Sequence, residues 1–223
     1  MLSHGFLSNI IQKRDLEIVN LDLKKFLYEN KITTTYFSEI HKTIPSVSDL
    51  INQKILSKVK KLLKNDKPLI CNVELHLQPK NSPTIPVHQD NFYHCINHNE
   101  GLKILIPLQP MDQNSGSLIF MDCDLNFPIQ KHISSNVRNF SSYIPEQISK
   151  NLKLKETSYT YRLGDASYHF INSIHFSKGN ISKNQIFFIV FRFQIPNATI
   201  DMKALENYEK CLSDHKKLIE KNF

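Results

Sequence analysis

Two widely separated groups of residues in this sequence could share one metal ion. The first is His88-Gln89-Asp90, inside Thr-Ile-Pro-Val-His-Gln-Asp-Asn-Phe-Tyr-His at 84 to 94. Side chains two apart on an extended strand point to the same face, so His88 and Asp90 can grip one cation from a single strand. One imidazole and one carboxylate leave such an ion short of a ligand. The candidate for the third is His175, which ends the stretch Gly-Asp-Ala-Ser-Tyr-His-Phe-Ile-Asn-Ser-Ile-His at 164 to 175. His94 and His98 offer a rival cluster with His88 and Asp90. His94 shares strand parity with Asp90 but falls about 13 Å further along at ~3.3 Å per residue. It is expected to line the pocket, not to bind the metal.

Two histidines and one carboxylate on one face of a metal, with the other positions open, form the facial triad of non-haem Fe(II) oxygenases. Three pieces of the sequence carry a closer resemblance: H-Q-D at 88 to 90, D-Q-N-S-G-S-L at 112 to 118, and G-D-x(9)-H-x-S-x-x-N-x-S from 164 to 182. In that order and spacing the chain resembles the phytanoyl-CoA dioxygenase-like Fe(II)/2-oxoglutarate oxygenases, which include ectoine hydroxylase. The resemblance implies that His88, Asp90 and His175 hold Fe(II), with 2-oxoglutarate and O2 taking the open positions. It also implies oxidation, most simply hydroxylation, of a small molecule with release of succinate and CO2. Family members that halogenate have a small residue where Asp90 stands, so the carboxylate favours hydroxylation or a related oxidation.

The resemblance breaks at the cosubstrate anchor. Family members hold the distal carboxylate of 2-oxoglutarate with an arginine eleven residues after the second histidine, helped by a serine or threonine. Here Ser177, Asn180 and Ser182 fit the pattern, but the arginine position is Ile186. A buried carboxylate without a cationic partner is costly. Arg192 lies on the same strand face as Ile186 but ~20 Å further along; Lys183, Lys103 and Arg162 are the other cations to consider. The expected cosubstrate contacts are therefore Ser177, Arg192 and, by resemblance, Gln89. Asp165 and Gly164 are expected to shape a turn, and Phe92, Tyr93, Tyr168 and His169 to be mostly aromatic core.

Composition sets the frame for this chemistry. The chain has 223 residues, 40% hydrophobic and 22% charged, which suits one globular domain. No apolar run approaches the roughly 20 residues of a membrane span, and the N-terminus lacks the basic and long apolar regions of a secretory signal. A cytoplasmic protein is expected. The four cysteines have no CxxC spacing, against a zinc ribbon or a disulfide scaffold. The net charge of +7 rests almost wholly on lysine, with arginine only at 14, 138, 162 and 192. Arginine does most phosphate and base recognition, so a solvated lysine face is expected and not a nucleic-acid partner. An anionic small substrate is compatible with that charge. Nothing in the sequence speaks to the oligomeric state.

The elements that must position these residues read as follows. Residues 1 to 66 form a mostly helical flank: short helices near Leu7 to Ile11 and Leu21 to Tyr28, a first strand at Thr33 to Phe37, then a helix from a capping-box-like Ser46 to Asn65. Strands are expected at 69 to 78, at 84 to 94, at 101 to 108, at 117 to 121, at 158 to 162, at 166 to 170 and at 186 to 193. The last is apolar enough to be central and buried on both faces. Residues 122 to 158 lack a sustained period and read as a lid over the site, and 199 to 220 as a closing helix. Short strands at 67 to 196 between flanking N- and C-terminal helices predict an α+β, mainly β fold, a jelly-roll (double-stranded β-helix, cupin-like) barrel. Besides the 2-oxoglutarate oxygenase, two readings compete: a facial-triad oxygenase that does not use 2-oxoglutarate, and a non-catalytic ligand-binding descendant.

Overall fold

The computed structural model describes residues 1–30, 34–97, 99–137 and 140–220. Strand β1 (His4–Leu7) leads into helix α1 (Lys13–Glu29), the short strand β2 (Tyr36–Phe37), the single turn α2 (Ser46–Asp49) and helix α3 (Gln53–Leu63). Strands β3 (Leu69–Gln78) and β4 (Ile85–Gln89) follow, then the turn α4 (Asn91–His94) and strands β5 (Gly101–Pro107) and β6 (Ile119–Met121). A hairpin, β7 (Ile133–Val137) and β8 (Phe140–Tyr143), precedes α5 (Glu146–Asn151) and β9 (Glu156–Ser158). Strands β10 (Ala166–Phe170), β11 (Ile174–Ser177) and β12 (Ile186–Gln194) complete the barrel, and α6 (Met202–Glu220) closes the described chain.

The strands form two antiparallel sheets, ordered β1-β10-β5-β12-β3-β2 and β4-β11-β6-β9, with β7-β8 as a separate pair. This is the jelly-roll barrel with flanking helices that the sequence predicts. Strand β12 is central, pairing with β5 on one side and β3 on the other, as its apolar sequence requires.

Alternation along the large sheet separates a packing face from a chemical one. Val73, Leu75 and Leu77 of β3, Leu102, Ile104 and Ile106 of β5, and Ile189, Phe191 and Phe193 of β12 are buried in one cluster with Leu16, Val19 and Leu23 of α1 and Ile55, Val59 and Leu62 of α3. Each side chain buried this fully contributes about 1.5–3 kcal/mol. The residues between them, Glu74 and His76 on β3, Lys103 and Leu105 on β5, and Phe188 and Val190 on β12, line the cavity between the sheets. The period of two that builds the core thus also delivers the polar side chains of the interior.

Several elements differ from expectation for local reasons. The short helix expected near Leu7 to Ile11 does not form: Leu7 ends β1, which pairs with β10, and the chain turns at Asn9 with φ 47. The helix expected from Ser46 divides: α3 starts afresh at Asn52, whose side chain accepts from the Ile55 N–H at 3.0 Å, and ends at Lys64 with φ 51. Ser46 does not cap a helix; its hydroxyl donates to Asp22. The strand expected at 84 to 94 stops at Gln89, and His94 lies on α4, so strand parity does not govern it. The expected strand at 158 to 162 is displaced to β9, which pairs with β6. Within 122 to 158 the β7-β8 hairpin brings Val137 and Phe140 to the cavity wall. Thr33 and His98 lie outside the described residues.

Candidate metal centre

His88 and His175 face each other as a directly opposed pair on neighbouring strands β4 and β11. Strand β4 is the edge of its sheet, which is where a strand tolerates a proline. Pro86 serves the site directly: its carbonyl accepts the His88 Nδ1–H at 2.9 Å. The Ser173 carbonyl accepts the His175 Nδ1–H in the same way, also at 2.9 Å. Each imidazole is thereby fixed in orientation with the Nε2 lone pair turned to the interior. The β11 register shifts between His175 and Ser177, the kind of irregularity that re-aims side chains beside a site.

Asp90 follows β4 at helical angles, φ −58 and ψ −33, and opens the α4 turn. Its carboxylate reaches back between the two rings. His88 Nε2 stands 3.9 Å from Oδ1 and His175 Nε2 3.8 Å from Oδ2, beyond hydrogen-bonding reach. One donor atom from each of the three residues falls within 4.8 Å of the others, and all three residues are buried. Burial holds both imidazoles neutral, His88 down to about 3 and His175 to about 4, as a metal ligand must be. Two neutral imidazoles and one carboxylate suit a divalent transition metal such as iron.

The carboxylate is also held from behind. Lys103 Nζ donates to Oδ1 at 3.0 Å and His169 Nε2 to Oδ2 at 3.1 Å. Burial opposes the Asp90 charge, but Lys103 and the His169 hydrogen bond keep its carboxyl well below the usual carboxylate range. An ionised carboxylate has about four lone-pair sites, so a metal can take one while these contacts persist. The cavity in front of the three residues measures about 950 Å³. Its wall includes Tyr36 and the stacked rings of His76 and Phe188, 4.8 Å apart. Glu74 lies within it, held by Asn72 at 3.1 Å and His76 at 3.3 Å. Burial raises the Glu74 carboxyl, but the His76 hydrogen bond and the charge on Lys103 bring it down to about 2.

The residues expected to bind a cosubstrate lie elsewhere. Gln89 is fully buried, and its amide is taken up by the Asn172 and Pro128 carbonyls and the Gln130 N–H. The Ser177 hydroxyl donates to the Gly116 carbonyl and accepts from the Gly179 N–H. Arg192 donates to His94 Nδ1 at 2.8 Å. None of the three lines the cavity. Ile186 sits in an apolar cluster with Leu105, Met111, Tyr161, Phe188 and Val190. Lys183 and Arg162 are exposed and outside the lining. His169, expected as core, instead bonds Asp90. Glu74 and His76 were visible as the polar half of the β3 alternation, the one signal that could have marked them.

No family model matches the chain, and no curated protein matches it. Among solved structures, the fold is shared with the epimerase SnoN in complex with Fe3+, alpha ketoglutarate and nogalamycin RO, at TM-score 0.73 and 11% identity, covering 89% of this chain and 81% of that one. The non-heme monooxygenase ThoJ, in its apo form, gives TM-score 0.71 and 14% identity over 98% of this chain and 95% of that one. EctD from S. alaskensis, with 2-oxoglutarate and 5-hydroxyectoine, gives 0.70 and 15% over 89% and 74%. This chain therefore has the jelly-roll fold on which those non-heme enzymes are built.

Proposed function

We propose that this chain is a non-haem Fe(II)/2-oxoglutarate-dependent oxygenase of the phytanoyl-CoA dioxygenase-like kind, oxidising a small molecule. The observation that carries the reading is the convergence of His88, Asp90 and His175, with both Nδ1 atoms committed to backbone carbonyls and both Nε2 atoms free to face one point. The shared fold with enzymes holding iron and 2-oxoglutarate supports it. Fold alone does not assign a function; the donor set does the assigning.

When bound, ferrous iron with 2-oxoglutarate and O2 supplies the oxidising power, and the cosubstrate leaves as succinate and CO2. The protein supplies position and shielding. Pro86 and Ser173 keep the ring nitrogens aimed, and His169 and Lys103 fix the plane of the Asp90 carboxylate. Phe140, from the β7-β8 hairpin, packs edge-on against the His88 ring with centroids 5.1 Å apart and helps keep water from the metal side. The mostly apolar cavity, with Tyr36, Phe140 and Phe188 on its wall, fits a small organic substrate.

The test is anaerobic addition of Fe(II) and then 2-oxoglutarate. The expected result is a weak visible charge-transfer band, followed by succinate release on admitting O2. Iron binding with O2 consumption but no succinate would favour the second reading, a facial-triad oxygenase that does not use 2-oxoglutarate. The apolar surroundings of Ile186 are what favour that alternative.

A further inference from the structure

The chain lacks the arginine that the resembling family uses for a cosubstrate carboxylate, and its cavity holds a cation with no role yet assigned. Where the resembling family places an arginine, Ile186 is 3% exposed among apolar side chains. Arg192, on the same strand face, is turned to His94 and away from the lining. Among the described residues that line the cavity only Lys80 and Lys103 carry a fixed positive charge, and Lys80 is exposed at the rim.

Lys103 is different. It projects from the middle of β5, in register with His169 of β10 and Arg192 of β12, with 12% of its side chain exposed. Its ammonium is hydrogen-bonded to a carboxylate oxygen of the metal-ligand group itself. It is a cation in the site.

The charges explain what it awaits. The buried ionised groups of the lining are Asp90, Glu74 and Lys103, a net charge of minus one. A divalent metal on Asp90 turns that to plus one and places two cations on one carboxylate. Like charges in so dry a space repel strongly, and an anion between them relieves the repulsion. From this we infer that Lys103 is the cationic partner of a cosubstrate carboxylate, doing from β5 what the family's arginine does from the strand that here carries Ile186. This rests on the 2-oxoglutarate reading above.

The test is calorimetric, on full-length protein loaded anaerobically with Mn(II) in place of Fe(II), so that no turnover is needed. Wild type is titrated first with Mn(II) and then with 2-oxoglutarate, and Lys103→Met, Lys103→Arg and Arg192→Met are treated alike. Removing one partner of a buried charge pair leaves the other uncompensated, so the expected result for Lys103→Met is 2-oxoglutarate affinity weakened on the order of 100-fold. Its Mn(II) affinity without cosubstrate should be kept or tightened, because a competitor for Asp90 is gone; that first titration also shows the variant is folded. Lys103→Arg should restore much of the loss, and Arg192→Met should bind 2-oxoglutarate as wild type does. If wild type binds 2-oxoglutarate and Lys103→Met binds it equally well, the inference is overturned while the oxygenase reading stands. If wild type takes up Mn(II) but no 2-oxoglutarate, the reading beneath it fails.

Discussion

Two buried clusters of the interior are built on opposite principles. In the metal cluster, His88, Asp90, His169, His175 and Lys103 crowd together, every one of them buried or nearly so. In the other, Ile186, Leu105, Met111, Phe188 and Val190 form a dry apolar group. Strand β5 serves both, giving Lys103 to one and Leu105 to the other, so the difference lies in which residue types occupy successive inward positions. Burial in the metal cluster disfavours charge and is offset by partners; in the apolar cluster it stabilises outright. Ionic groups are tolerated only where each is already answered.

Removing one answer should have the largest effect. Asp90→Ala takes away a proposed metal ligand and the one carboxylate that Lys103 is bonded to. The expected outcome is loss of metal binding and turnover to the detection limit, with folding stability lower by about 3 kcal/mol, read by calorimetry and chemical denaturation. The converse change, Ile186→Lys, puts an unanswered charge into the apolar cluster. It should cost roughly 3 kcal/mol of stability.

The metal side should also be the acid-labile one. His132 accepts the Gln89 N–H at 3.2 Å and stacks on Phe92, and burial lowers its pKa to about 4. An unfolded chain protonates this histidine first, as pH falls below about 6.5. Its contribution is therefore fully present above that value, is lost progressively down to about pH 4, and then levels off. It amounts to roughly 3 kcal/mol; denaturation midpoints of wild type and His132→Asn across that window check it. Smallest is Gln89→Ala. The amide pins the 126–132 segment to β4, so about 2 kcal/mol should be lost, with faster hydrogen exchange confined to that segment.

The comparison also explains what could be read from the sequence. Regular alternation made β3 and β10 legible to the residue, and the unbroken apolar run made β12 recognisable as central. His88, Asp90 and His175 carried a spacing with a definite chemistry. What failed was governed by tertiary partners. Leu7 ends a strand and does not start a helix because β10 offers residues 4 to 7 an edge, and His94 leaves the strand because Asp90 takes helical angles. Gln89 and Ser177 stand close to His88 and His175 in sequence, yet their hydrogen bonds go to backbone. His169 looked like core because nothing local says that Asp90, far away in the chain, needs a donor. The inward polar face of β3 was visible as a pattern; that it faces a cavity and not solvent follows only from closure of the barrel.

The central claim is that one ion is held by side chains from β4, β11 and the turn after β4. Its most direct test is a crystal structure of the protein loaded with Mn(II) or, anaerobically, Fe(II). The expected result is a single ion bonded to His88 Nε2, His175 Nε2 and one oxygen of Asp90, with the Pro86 and Ser173 hydrogen bonds intact. An ion bound elsewhere, or these three side chains metal-free at saturating metal, would contradict it.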